Sequence, residues 1–231
     1  MKLTEVFNSF CEKLSKREGK MTEDNIRYYW FAAMYEKDDE LNHYTLEEPY
    51  DKTILPKKEL DLLYKDGNEQ WAIEMKFHRY SPDSDFAHTD AAGSIFNDLM
   101  RLQYAPIYKE ICSTRRLFLY VTDDEMDEYF KAEDNIWQNK TYRKELRKFY
   151  TIDENILTII RFEENALDKE DKNDHFPDTF TKKAFDSFVN KPNFFSSPKI
   201  SLLYKREISE LKSDTFKGKK CYVRLYEVLT K

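Results

Sequence analysis

The sequence predicts an α/β fold, a central mixed β-sheet flanked by helices, and three observations lead there. The hydrophobic period is helical as far as Tyr35 and changes to strict alternation from Lys57 onward. A short apolar run, "RRLFLYVT" (115–122), follows a third helical stretch and has the character of a buried central strand. The chain has 231 residues with 40% hydrophobic and 16% aromatic content, enough to bury a full core and too apolar for disorder.

Each element can be read in order. Leu3, Val6, Phe7, Phe10 and Leu14 recur at helical spacing and give an amphipathic first helix. Thr22 stands as an N-cap with Glu23 and Asp24 in the favourable first turn. The segment it opens, "IRYYWFAAMY" (26–35), is apolar on most sides and is expected to be largely buried. "TLEEPY" (45–50) suggests a short strand. "ELDLLY" and "QWAIEMKF" are strands joined through Asp66-Gly67-Asn68, with a loop expected to exceed two residues. On the second of them Trp71, Ile73, Met75 and Phe77 share one face, and Ala72, Glu74, Lys76 and His78 the other. A polar loop over 79–90 precedes a helix capped by Thr89 or Asp90, with Ile95, Leu99 and Leu102 as its stripe. Beyond Thr122 come an acidic stretch (123–134), a basic helix (138–150), and strands at 156–162, 199–206 and 221–228. The polar run 163–178 reads as a mobile loop.

Charge and composition exclude several function classes. Lys and Arg number 38 against 44 Asp and Glu, a net of −6, which argues against a polyanion binder held by bulk charge. The distribution is uneven: residues 191–231 hold ten Lys/Arg and four Asp/Glu, a local +6 that leaves −12 on residues 1–190. A basic C-terminal end is compatible with a nucleic-acid contact and equally with a solvated face. Mean hydropathy is −0.82 and no apolar stretch approaches the roughly 18 residues of a membrane span. The N-terminus breaks its apolar pattern with charges, unlike a signal peptide. Cys11, Cys112 and Cys221 form no CxxC pair, and the four glycines form no phosphate-binding loop, so a zinc ribbon, a disulfide framework and a nucleotide cofactor are not expected. A cytoplasmic location is the simplest expectation.

The residues that carry chemistry are Asp61, Glu74 and Lys76. Hydrolysis of a phosphodiester uses a divalent cation to polarise the phosphoryl oxygen and acidify a water. Hard cations take carboxylate oxygens, and two acids on neighbouring strands of a hairpin can converge on one ion. Lys76 lies on the same side as Glu74, where an ammonium can orient the water or stabilise developing phosphate charge. Glu-x-Lys occurs four times, at Glu18, Glu74, Glu170 and Glu210, and only the pair at Glu74 is threaded through an apolar strand. The competing reading is an amphipathic edge hairpin whose polar face carries a Glu–Lys ion pair.

"PKKELDLLY…WAIEMKF", with the helix "GSIFNDLMRL" and the strand "RRLFLYVT", resembles the PD-(D/E)xK nuclease superfamily, the restriction-endonuclease-like fold. That resemblance covers roughly residues 20–122 and implies a core of a helix, three antiparallel strands, a helix and a further strand. Residues 1–122 would then be the nuclease core and 123–231 a C-terminal extension serving specificity or dimerisation within one globular unit. The resemblance implies Asp61 and Glu74 as ligands of Mg²⁺, with Mn²⁺ as a substitute, Lys76 as the catalytic lysine, and Glu23 as the added acid of the first core helix. Asp98 and Arg101 resemble the polar residues that the following helix turns toward the site or the DNA. One departure is the missing Pro-Asp dipeptide: Leu60 precedes Asp61, Pro56 lies five residues upstream, and Glu59 is the competing acid. DNA as the partner, a restriction-type defence role and a homodimer are further implications; a fold retained as a non-catalytic binding or interaction module is the alternative.

Other residues are weaker candidates. His43, His78, His88 and His175 stand in no metal-ligand spacing, although His78 on the strand face and His88 beside it can reach a phosphate. Arg79, Arg101, Lys205 and Arg206 are the cationic candidates for nucleic-acid contact, where Lys and Arg supply phosphate affinity.

Overall fold

The computed structural model describes residues 1–79, 88–108, 111–132, 140–161, 178–189, 196–209 and 211–230. Its centre is a seven-stranded mixed sheet: β1 (Tyr44–Pro49), β2 (Glu59–Asp66), β3 (Glu69–His78), β4 (Ser113–Asp123), β5 (Leu157–Ile159), β6 (Lys199–Ile208) and β7 (Cys221–Leu229). The spatial order is β1-β2-β3-β4-β7-β6-β5, with β3 and β4 parallel and every other neighbouring pair antiparallel. Six α-helices lie among the described residues: α1 (Leu3–Ser15), α2 (Glu23–Tyr35), α3 (His88–Leu102), α4 (Asp124–Lys131), α5 (Lys140–Thr151) and α6 (Asp178–Ala184). None is long and apolar enough to cross a membrane.

The alternation of β3 sorts two cores. Trp71, Ile73 and Met75 pack with the stripes of α1 and α2, where Phe10 meets Trp30 edge to face at 5.5 Å. Ala72 belongs to the other core, built from α3 to α6 with Phe96, Phe118, Tyr120, Phe149 and Tyr226. The five expected residues of the α1 stripe are all buried, together with Cys11. Close packing of α3 on α6 explains Gly93: a Cβ there would stand 2.7 Å from the Phe180 carbonyl oxygen and from Lys183 Cβ. Asn97 of α3 secures that contact, donating to the Ala184 carbonyl at 2.9 Å and accepting from Ser187 at 2.8 Å.

Several expectations need correction. The α2 segment is buried on one face, through Ile26, Trp30, Ala33 and Met34, while Tyr28 is 75% exposed; its aromatic content hid an ordinary amphipathic helix. The β2–β3 loop has two residues, since Asp66 pairs with Glu69 and Gly67 takes the first central position at φ 53°, as the tightest hairpins prefer. Thr89 and Asp90 lie within the first turn of α3, which already includes His88. The 156–162 strand shrinks to the three residues of β5. The polar run at 163–178, His175 included, falls outside the described residues except for Asp178, as do residues 80–87 of the 79–90 loop.

Candidate active site

The site begins where β2 and β3 part. Their pairing runs from Asp66↔Glu69 to Leu62↔Ile73 and is not continued at Asp61. There the Asp61 carboxylate enters the gap and Oδ2 accepts the Met75 backbone N–H at 2.7 Å, replacing a ladder bond. On the outer side of β2, Glu47 of β1 adopts φ 55° and interrupts the β1 register between Leu46↔Leu62 and Glu48↔Leu60. A local break in both ladders thus turns an acid into the sheet among leucines.

Two helices close on this gap. The start of α2 brings Glu23, whose Oε2 accepts the Phe77 backbone N–H at 3.3 Å and lies 3.7 Å from Lys76 Nζ. One turn on, Arg27 bridges Glu23 at 3.2 Å and Asp61 Oδ1 at 2.7 Å. From the other side α3 supplies Asp98, 3.4 Å from Lys76 Nζ, and Arg101, which reaches Asp98 at 3.0 Å and Glu74 Oε1 at 2.7 Å. Glu74 is 2% exposed, and Oε1 also accepts the buried Tyr50 hydroxyl at 2.7 Å. Four carboxylates (Glu23, Asp61, Glu74, Asp98) therefore interlock with three cations (Arg27, Lys76, Arg101).

Burial governs the titration of the carboxyls in this site. Burial raises the Glu74 carboxyl to about 8, against the pull of Arg101 and with help from Asp98 and Asp61. Burial likewise raises Asp61, opposed by Arg27 and the Met75 N–H. Burial lowers the Lys76 ammonium, but Asp98, Glu23 and Asp61 outweigh it and leave its pKa above the ordinary lysine value. Arg101 is held charged by Asp98 and Glu74 despite its burial. Glu74 is thus a carboxyl that carries a proton near neutral pH.

The predicted residues divide clearly. Asp61, Glu74, Lys76 and Glu23 meet here with Asp98 and Arg101. Glu59, the competing acid, is exposed at the β1-paired end of β2. His78 is next along the face, its Nε2 3.3 Å from the Ser94 hydroxyl, and burial keeps it neutral. His88 stacks on Tyr129 with ring centroids 5.0 Å apart. Arg79 directly follows β3 and is half-buried. Arg101 is committed to two carboxylates and its side chain is 14% exposed. Lys205 and Arg206 lie on β6, three strands from β3, where Arg206 binds Asn8 of α1 at 2.7 Å.

Two members went unread in the sequence. Arg27 stands four residues after Glu23 on α2, the spacing of a helical ion pair, which was its only signal. Tyr50 is one of 16 tyrosines and nothing local marks it. As a donor set, carboxylates on neighbouring strands suit a hard divalent ion. The Arg27 side chain is 37% exposed, and Glu74 Oε2 takes no hydrogen bond from the described residues. Among the described residues the interleaved cations leave no group of three or more metal-ligating side chains drawn around one point. No family model, curated protein or solved structure matches the chain.

Proposed function

We propose that the protein is a metal-dependent endonuclease of the PD-(D/E)xK type that hydrolyses phosphodiester bonds in DNA. The observation that carries this reading is the meeting of Lys76 with Glu23 and Asp98 beside Asp61 and Glu74, at the gap between two strands. The element order α2-β1-β2-β3-α3-β4 agrees with the order that the resemblance implies, and supports the reading independently of the short motif. A Mg²⁺ ion held by Asp61 and Glu74 would supply Lewis acidity and an acidified water.

The chain's own residues do the rest. Glu23 and Asp98 hold the Lys76 ammonium from two sides, fixing it where charge would develop on a phosphate. Arg101 and the Tyr50 hydroxyl orient the Glu74 carboxylate by fixing Oε1. Arg27, the most exposed of the three cations, is the one that can exchange its carboxylate for a phosphate oxygen. Preference for DNA, a restriction-type defence role, a cytoplasmic location and a homodimer with symmetry-related sites complete the proposal on the strength of the resemblance.

A second reading is favoured by a specific observation: Arg27 and Arg101 already neutralise Asp61 and Glu74 at 2.7 Å each, as in a nuclease fold kept as a nucleic-acid-binding or protein-interaction module. Nicking of supercoiled plasmid with Mg²⁺ or Mn²⁺ decides between the two. Under the nuclease reading Lys76→Ala and Glu74→Ala each lower the rate by about 10²–10³-fold or more, the scale for removing one charge-stabilising group. Nicking that survives both substitutions rejects it, and a wild type that never nicks leaves the module.

A further inference from the structure

A second charged cavity lies away from the carboxylate cluster, between α4, the end of α5 and strands β6 and β7. It has a volume of about 370 Å³, and its walls include Lys131, Lys205, Arg206, Arg224, Tyr222 and Glu207. Lys131, Lys205 and Arg224 thus face one carboxylate, since Arg206, the next residue after Lys205, turns to the other side of the sheet and Asn8 of α1, and Glu207 is itself paired with Lys220 at 2.6 Å. Asp127, behind the wall, offsets part of the charge through Lys131 at 2.6 Å and Arg224 at 3.4 Å. An excess of positive charge remains.

The cavity is built rather than incidental. Arg224 has an 8% exposed side chain, and its guanidinium carbon stands 3.5 Å from the Tyr150 ring centroid, while Nη1 donates to the Tyr150 hydroxyl at 2.6 Å. A guanidinium offers five N–H donors in a fixed fork. Among the described residues Arg224 Nε has no acceptor. A rigid arginine with spare donors, flanked by the exposed Lys131 and Lys205, has the chemistry of a phosphate subsite.

Position sets it apart from the candidate active site. Across the sheet Lys76 pairs with Tyr120, Tyr120 with Arg224, and Arg224 with Lys205. At about 4.8 Å per strand, the Lys76 and Arg224 backbones are roughly 10 Å apart, with Tyr120 buried between them. A phosphate bound at Arg224 is therefore a different one from any bound at Lys76. We propose that the cleft of Arg224, Lys131 and Lys205 is a phosphate-binding site, serving either a nucleic-acid backbone or a free phosphate ester.

The test is run in EDTA, so it does not depend on hydrolysis and can succeed or fail separately from the nuclease reading. Inorganic pyrophosphate at ten times its dissociation constant should raise the melting temperature by about 3–6 °C. The Lys131→Gln/Lys205→Gln double variant, altered only at exposed positions so that the fold persists, should lose that rise, while Lys212→Gln on another surface keeps it. A short single-stranded oligonucleotide separates the sources. If the double variant lowers the slope of log affinity against log salt by about 1–2, the site takes nucleic-acid backbone. If the slope is unchanged while the pyrophosphate effect is lost, the site takes a free phosphate ester. No melting rise in the wild type, or an equal rise in the double variant, overturns the proposal.

Discussion

Two ionic clusters occupy one sheet, around Lys76 and around Arg224, and they are unbalanced in opposite directions. At Lys76 four carboxylates meet three cations, and burial, helped by Asp98 and Asp61 and opposed by Arg101, favours a proton on Glu74. At Arg224 three cations (Lys131, Lys205 and Arg224) face the cavity, and Asp127 is the buried acid that holds two of them. At the second cluster the buried Arg224 is paired with the buried Asp127, and the surplus cations are the exposed Lys131 and Lys205, which can meet an anion. An acid-rich pocket is relieved by a cation and a base-rich one by an anion. The contrast between them is the most informative feature of the molecule.

The largest effect that can break this contrast comes from deleting one acid in each cluster. Asp127→Asn leaves the buried Arg224 without its carboxylate and is expected to lower unfolding stability by about 3 kcal/mol. Glu74→Gln replaces a buried carboxyl that already holds a proton near neutral pH, so its stability is expected to stay level, while under the nuclease reading metal-dependent cleavage is lost. Urea unfolding of both variants checks this, and equal losses would erase the distinction between the clusters.

A smaller effect lies in the pH dependence. A glutamate in the unfolded chain titrates near 4.5, and Glu74 in the folded protein near about 8. Between those values the folded state retains a proton that the unfolded chain has released, so this group makes stability fall as pH rises, by at most about 1.4 kcal/mol per pH unit. Subtracting Glu74→Gln from wild type at each pH isolates the contribution. A flat difference from pH 5 to 8 would mean that Arg101 keeps Glu74 ionised throughout. If Glu74 ligates a metal ion, as the nuclease reading has it, the ion must displace that proton, and a melting rise with Mn²⁺ is then larger at pH 8.5 than at pH 6.5.

The smallest effect calibrates the others. Lys16 and Glu12 form an ion pair on α1 with both side chains about two-thirds exposed. Lys16→Ala is expected to leave the same unfolding curves superimposable on those of the wild type, because an exposed pair is screened by solvent. A loss as large as that of Asp127→Asn would show that burial does not separate strong pairs from weak ones in this protein.

Much of the candidate site was legible because it depends on period-2 alternation within one strand. Glu74, Lys76 and His78 fall on one face of β3 whatever the strand pairs with, and the apolar neighbours of Asp61 marked it as unusual. What could not be read were partners distant in sequence: Tyr50 on Glu74, Arg27 on Asp61, and Arg101 closing on Glu74 from 27 residues away. The Arg224 cavity was harder still, since it draws on α4, α5, β6 and β7 together. The basic tail hinted at it, but Lys131 and Tyr150 carry no local sign of belonging there.

Local hydrophobic period and turn chemistry determined the identity and order of most elements and the side of β3 that bears charge. These depend on backbone geometry within a few residues, and any chain with this pattern shares them. Tertiary structure alone decided that β7 would slot between β4 and β6, that the β2–β3 ladder would open at Asp61, and which cation would stand on which carboxylate. Strand neighbours and ion pairs are chosen by long-range packing and by the cost of unpaired charge in a dry core, and both exist only once the whole sheet has assembled.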